Sequence, residues 1–313
     1  MSFKNHRMVR MLVPFLVVFA AGSSRAFAAS PEASGAPWFA SKDAIVTCMD
    51  IGEVRALGDE LASALLQGLP MLGLIGLLSG ADLDGIESYC IVQKVTAEGF
   101  RPEVIVVQGD LDGSLERMQG VVALLPVSAP TVRRVSKGVQ VEYDDLDGTR
   151  AAFVVLEDRV AIYGEREPVE RAVHDFRAGA QVGFRGSLMG VRIDSMSPIV
   201  RVLVGAPSVV RSVEETASVS DDRKRLVVVT RLRTGSREHA LLVRRLLAEQ
   251  RAAQDDPYSN AGLGGVEGTL PKDARAEVDG NDVRMVAELP IQVLAAALGG
   301  SMGNLLGGTQ VEL

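Results

Sequence analysis

The chain has 313 residues, with 33 basic and 40 acidic side chains, three histidines and a formal net charge of −7. Only 4% of its residues are aromatic, which argues against a base-stacking platform, an aromatic ligand cage or any nucleic-acid surface in so acidic a chain. The length suits one large domain or two small ones.

Lys4, Arg7 and Arg10 precede an apolar run of 11 residues, Met11 to Ala21, and Ala26-Phe27-Ala28 supplies small residues for cleavage. This pattern predicts a secretory leader over 1–28, too short for a membrane span. No cysteine stands near the cut, so no lipid anchor is expected there. Cleavage would remove four basic side chains and no acidic one, taking the charge from −7 to −11. The expected address is export, to the periplasm or the exterior. In that oxidising setting Cys48 and Cys90 are expected to form a disulfide; two buried thiols on strands are the alternative. The closed loop would hold 43 residues, for which chain entropy gives about 4 kcal/mol.

After a linker over 29–40, strands are predicted at Ala44–Met49, Ile86–Val95 and Glu103–Gln108. A helix split at Gly68 and Pro70 is expected over Val54–Leu78. Within it Leu61–Ser79 carries no charge over 19 residues, which reads as a buried cover. A helix at Ser114–Leu125 precedes short strands at Thr131–Val135, Val139–Tyr143, Ala151–Leu156 and Val160–Tyr163. Pro168 is expected at the first position of a closing helix whose Val169, Ala172, Val173 and Phe176 share one face. Further on, strands are expected at Leu188–Asp194, Val209–Ser218, Leu226–Arg233, Arg275–Val278 and Val283–Leu289. A helix is expected at Arg237–Ala252, and another from Pro290 that fades into a glycine-rich tail.

Residues 104–125 and 226–247 align without a gap at an offset of 122, with eight of 22 positions identical, Gly113/Gly235, Ser114/Ser236 and Glu116/Glu238 among them. The shared grammar is a β-branched strand, a Gly-Ser turn and an amphipathic helix with an acid in its first turn. The fold expected from it is α+β: two related modules, 41–179 and 180–313, each a mainly antiparallel sheet covered by helices on one face.

Asp-Leu-Asp-Gly occurs at Asp82 to Gly85, Asp110 to Gly113 and Asp145 to Gly148. A calcium loop needs more oxygen ligands than an Asp pair supplies, and the positions where they belong hold Gly80, Gln108, Tyr143, Ile91, Gln119 and Val154. The motif therefore reads as a turn, and Asp82, Asp84, Asp145 and Asp147 are weak metal candidates. His174 and His239 lie in separate helices without metal or nucleophile spacing. No cofactor and no catalytic residue is assigned.

Charge is uneven. Residues 41–178 carry a net −10, whereas Arg223 to Arg251 carry nine basic and two acidic groups. Arg231, Arg233, Arg237, Arg244 and Arg245 are thus candidates for an anion-binding or partner surface, which an anionic lipid head, a polysaccharide or an acidic protein would suit. The bland alternative is that these arginines face the acidic first module or water.

The order of elements resembles a family of uncharacterised exported bacterial proteins. AIVTCMDIGEVRALGDEL, VIVVQGDLDGSLERM, FVVLEDRVAIYGEREPVERAV, RLVVVTRLRTGSREHALLVRRLL and VRMVAELPIQVLAAAL carry the resemblance. It implies the fold and an envelope or secreted address, and it brings no activity with it. The expected function is a non-catalytic exported binding or scaffold protein, whose partner is another envelope protein or an anionic polymer. The alternative is a small-ligand or calcium-dependent envelope enzyme with a site between the modules.

Overall fold

The structure is a computed structural model that describes residues 44–58, 85–96, 99–124, 131–135, 138–144, 149–177, 183–184, 186–194, 196, 207–254 and 275–290. The predicted leader, the linker, the uncharged segment Leu61–Ser79, the loop 255–270 and the helix after Pro290 lie outside the described residues.

Among the described residues the chain forms twelve strands and four helices. The strands are β1 (Ala44–Asp50), β2 (Ile86–Thr96), β3 (Gly99–Gly109), β4 (Thr131–Val135), β5 (Gly138–Asp144), β6 (Arg150–Leu156), β7 (Val160–Glu165), β8 (Met189–Ile193), β9 (Val210–Val219), β10 (Arg225–Thr234), β11 (Arg275–Asp279) and β12 (Asp282–Pro290). The helices are α1 (Ile51–Arg55), α2 (Ser114–Leu124), α3 (Arg166–Arg177) and α4 (Arg237–Gln254). The described residues divide into two compact units, one running to Met189 and the other starting at Gly190, each described separately below.

In the first unit the strand order is β1-β2-β3-β7-β6-β5-β4, antiparallel throughout. In the second, β11-β12-β10-β9 is antiparallel, with β8 beside β9. These arrangements correct the α+β expectation. Among the described residues the protein is β-rich, with antiparallel sheet as its framework and less helix than strand. Burial gives the physical reason. Every residue from Val104 to Val107 and from Ala151 to Leu156 is buried, so both faces of β3 and β6 are covered, which a sheet with helices on one face and water on the other does not allow.

The two segments offset by 122 fall on β3-α2 and β10-α4. Each strand pairs with the one before it, β2 or β9, and with the later strand β7 or β12. The first unit has the hairpin β4-β5 between α2 and β6, and among the described residues of the second the element after α4 is β11.

Local chemistry explains several shifted boundaries. Strand β3 begins at Gly99, before Pro102, because the ladder with β2 shifts register between Val92 and Gln93, opposite the residue that has no N–H to donate. Helix α1 starts at Ile51, not Val54, because the Asp50 carboxylate accepts from the Glu53 N–H at 2.9 Å. Helix α3 starts at Arg166, which makes Pro168 its third residue; a missing N–H is tolerated there because the first four have no helical acceptor. Its predicted stripe is inward: Val169, Ala172 and Val173 are buried in the core with Phe176 against it. Between β6 and β7, Glu157 and Asp158 both have positive φ, and Leu156 O accepts from Arg159 N at 3.1 Å, a tight turn made without glycine.

Cys48 and Cys90 are directly opposed on β1 and β2 and are joined by a disulfide, with both residues buried in the core. Replacing both by alanine, or reducing the bond, is expected to cost about 4 kcal/mol, most of it entropy restored to the unfolded chain. Urea unfolding with and without reductant measures this loss, and the double variant should be insensitive to reductant.

The Gly109 backbone lies against the turn before β2. A Cβ on Gly109 would sit 2.0 Å from Gly85 O, the atom that accepts from Asp110 N at 2.9 Å. Gly120 in α2 is exposed and has open space. Gly109→Ala is therefore expected to cost more than about 2 kcal/mol, whereas Gly120→Ala should gain about 1 kcal/mol from helix propensity. Denaturation midpoints of the two variants test both signs.

Candidate interaction surface

In the second unit, alternation along β9, β10 and β12 separates an apolar face from a polar one. Val213, Ala217, Leu226, Val228, Leu232, Val283, Met285 and Ala287 are buried. Helix α4 packs on β10, β11 and β12 through Ala240 and Val243. The other face carries a charged row across the ladder. Glu277 is paired with Arg284, Arg284 with Arg231, and Arg231 with Glu214. Arg192 on β8 extends the row: its Nη1 is 3.9 Å from Glu214 Oε2, and its Nε bonds Asp194. Burial pushes the Glu214 carboxyl upward, against the pull of Arg192 and Arg231. One rung away, Arg233 Nε is 3.6 Å from Asp282, and at the far end Arg225 Nη1 is 2.6 Å from Glu288.

The predicted arginine set is therefore divided. Arg231 and Arg233 belong to a mixed-charge face on one side of the sheet, where Arg231 neighbours both Glu214 and Arg284. Arg237, Arg244 and Arg245 stand on α4, which covers the other side, and all three are exposed. The linear run of positive charge does not form one continuous surface, because strand alternation and helix packing send its two halves in opposite directions.

Helix α4 is well anchored at its start. Ser236 Oγ accepts from His239 N at 3.3 Å and Ser236 O from Ala240 N at 3.0 Å. Hydrogen bonds from its own backbone N–H and from the Ser236 hydroxyl hold the Glu238 carboxyl below the usual range. The outward side is unusual. Leu241, Leu242 and Leu246 are 41%, 44% and 40% exposed, and the other large exposed apolar side chain among the described residues is Val132. Leu242 and Leu246 are four apart and share a face; Arg237 and Arg244, seven apart, share another line along the helix. Arg245 Nε bonds Glu249 at 2.7 Å. Over Arg237 to Leu246, about 14 Å of helix, the Leu242/Leu246 pair and the Arg237/Arg244 pair lie on nearly opposite sides.

The remaining candidates are scattered. Asp82, Asp84, Asp145 and Asp147 lie outside the described residues. In the second Asp-Leu-Asp-Gly copy, Asp110 Oδ1 accepts from Asp112 N at 3.3 Å, Leu111 is buried and Gly113 has φ +70°, the geometry of an Asx turn leading into α2. Among the described residues no group of three or more His, Cys, Asp or Glu is placed to hold a metal. His174 is exposed on α3, with Nδ1 3.3 Å from Asp175, and His239 is exposed on α4.

Glu142 and Glu215, two of the three buried carboxyls among the described residues, are not singled out by the sequence. Glu142 on β5 accepts from Gln140 Nε2 at 2.8 Å and lies 3.3 Å from Arg150 and 3.6 Å from Arg166, which ties β5, β6 and the start of α3 together. Glu215 on β9 points into the apolar face opposite Thr230, whose hydroxyl donates to its Oε2 at 2.9 Å. Burial drives the Glu215 carboxyl well above the usual range, and the Thr230 bond only partly opposes this. Adjacent acids in a strand were the available signal: when Glu214 faces one side, Glu215 must face the other.

A raised folded pKa means that the stability tied to protonated Glu215 is fully present below the unfolded value of about 4.3 and is lost as pH climbs towards the folded value. Glu215→Gln keeps an acceptor for Thr230 and has no proton to lose. The variant should match or trail the parent at acidic pH and exceed it at neutral pH, as read by urea unfolding across that range. A difference that does not change with pH would contradict a buried protonated acid.

No family model, curated protein or solved structure matches the chain. Among the described residues no helix is long and apolar enough to cross a membrane.

Proposed function

We propose that the protein is an exported, non-catalytic binding or scaffold protein of the cell envelope, as its resemblance to exported bacterial proteins implies, and that the outward face of α4 is its contact surface. One observation carries this reading. Three of the four large apolar side chains exposed among the described residues stand within six positions of α4, interleaved with exposed Arg244 and Arg245. On the sheet Arg225, Arg231 and Arg233 each neighbour an acid, Glu288, Glu214 and Asp282, whereas α4 exposes Leu241 and Leu242 beside Arg244 and Arg245. The disulfide between Cys48 and Cys90 is compatible with an oxidising compartment.

The test is sedimentation of the purified protein with washed envelope fragments of its host. The parent should pellet, and Leu242→Gln/Leu246→Gln should remain in the supernatant with unchanged thermal stability, since both side chains already face water. Equal pelleting of parent and variant would remove α4 from the contact.

A further inference from the structure

We infer that α4 pairs antiparallel with α4 of a second copy of this chain, about a two-fold axis midway between Leu241 and Leu242. This rests on the reading of α4 as the contact face and names its occupant. Ala240 and Val243 are buried beneath the helix, so its outward line lies opposite them. Glu238 and Arg245, seven apart, stand on that line, and Leu241 and Leu242 flank it at roughly 50° to either side. All four are exposed. Arg237 and Arg244 lie further round on one flank and Leu246 on the other.

Charge selects the occupant. The two groups on the outward line have opposite signs, so a surface of single sign repels one while it attracts the other. The same line turned end for end is its own complement. Glu238 of each copy then meets Arg245 of the other, twice in the pair, as a two-fold interface requires. Between these contacts Leu241 meets Leu241 and Leu242 meets Leu242, which takes 41% and 44% exposed side chains out of water in each copy. Both charges are free to take part. Arg245 bonds Glu249, but that pair is itself exposed, of the kind that exchanges partners at little cost. Bonds from its own N–H and from Ser236 keep the Glu238 carboxyl ionised, and a carboxylate has further lone pairs for a guanidinium. With one helix per copy in the contact, the area falls below the roughly 1,200 Å² at which stable interfaces begin, so the pair forms and dissociates with concentration.

Sedimentation equilibrium of the protein isolated from its host, over rising concentration, tests this. The average mass of the parent should climb from one chain towards two. Glu238→Arg and Arg245→Glu should each weaken self-association by roughly tenfold or more, since each sets like charges opposite one another twice. An equimolar mixture of these two variants should associate at least roughly tenfold more tightly than either alone, because every contact between positions 238 and 245 then joins opposite charges. Mixing cannot repair a folding defect, so this recovery reports the contact itself. Leu241→Gln/Leu242→Gln should abolish pairing. A parent that stays a single chain up to about 1 mM, or a mixture that associates no better than its components, overturns the inference. If a parent that stays single still pellets with envelope fragments in a leucine-dependent way, the second copy is the wrong occupant and the contact surface stands. If neither assay depends on the leucines, both readings fall.

Discussion

Strand β3 has a neighbour on each side, β2 and β7, and its residues Val104 to Val107 are buried on both faces. A strand in that position cannot leave a backbone N–H or C=O without a partner, because no water reaches it. The antiparallel ladder through β3 therefore has to be complete, and much of the first unit follows from completing it. Gly109 ends the strand where a side chain would strike Gly85 O. Leu111 N finds Asp158 O, and Gly109 N finds Arg159 O, which binds the turn between β6 and β7 to the loop leading into α2. Asp110, beside Gly109, serves that loop's backbone by accepting from Asp112 N.

The acids that matter energetically are those the ladder forces inward. In β9, Glu214 and Glu215 follow one another, and alternation leaves no arrangement in which both face water. The fold places Glu214 beside arginines and leaves Glu215 with one hydroxyl donor in an apolar setting. A carboxyl so placed is most cheaply kept protonated. Glu142 shows the other solution, with two arginines and a glutamine gathered around one buried carboxylate. The first arrangement makes stability depend on pH, and the second holds a helix start to the sheet.

Elements with strong local signals were readable in advance. The inward stripe of α3, the Ser236 cap of α4, the strand pairs about the short turns and the pairing of Cys48 with Cys90 each follow from a few neighbouring residues or from compartment chemistry. The balance between sheet and helix was not readable, since the alternation of a half-solvated strand and the continuous apolar run of a doubly covered one differ only in what lies above them. The basic segment misled for a related reason. Arg223 to Arg251 is continuous in sequence, yet a strand and the helix packed on its other face carry their charges to opposite sides.

By itself, the sequence determined the β-strand and helix periods, the turn residues, the helix caps and the cysteine pair, because each depends on sterics or hydrogen bonding within a few residues or on a single covalent bond. Tertiary structure alone decided which face of each strand is covered, which acids are buried, and which leucines of α4 remain in water. Those outcomes depend on the packing of segments distant in sequence, and no local pattern of residues encodes how much surface a neighbour will cover.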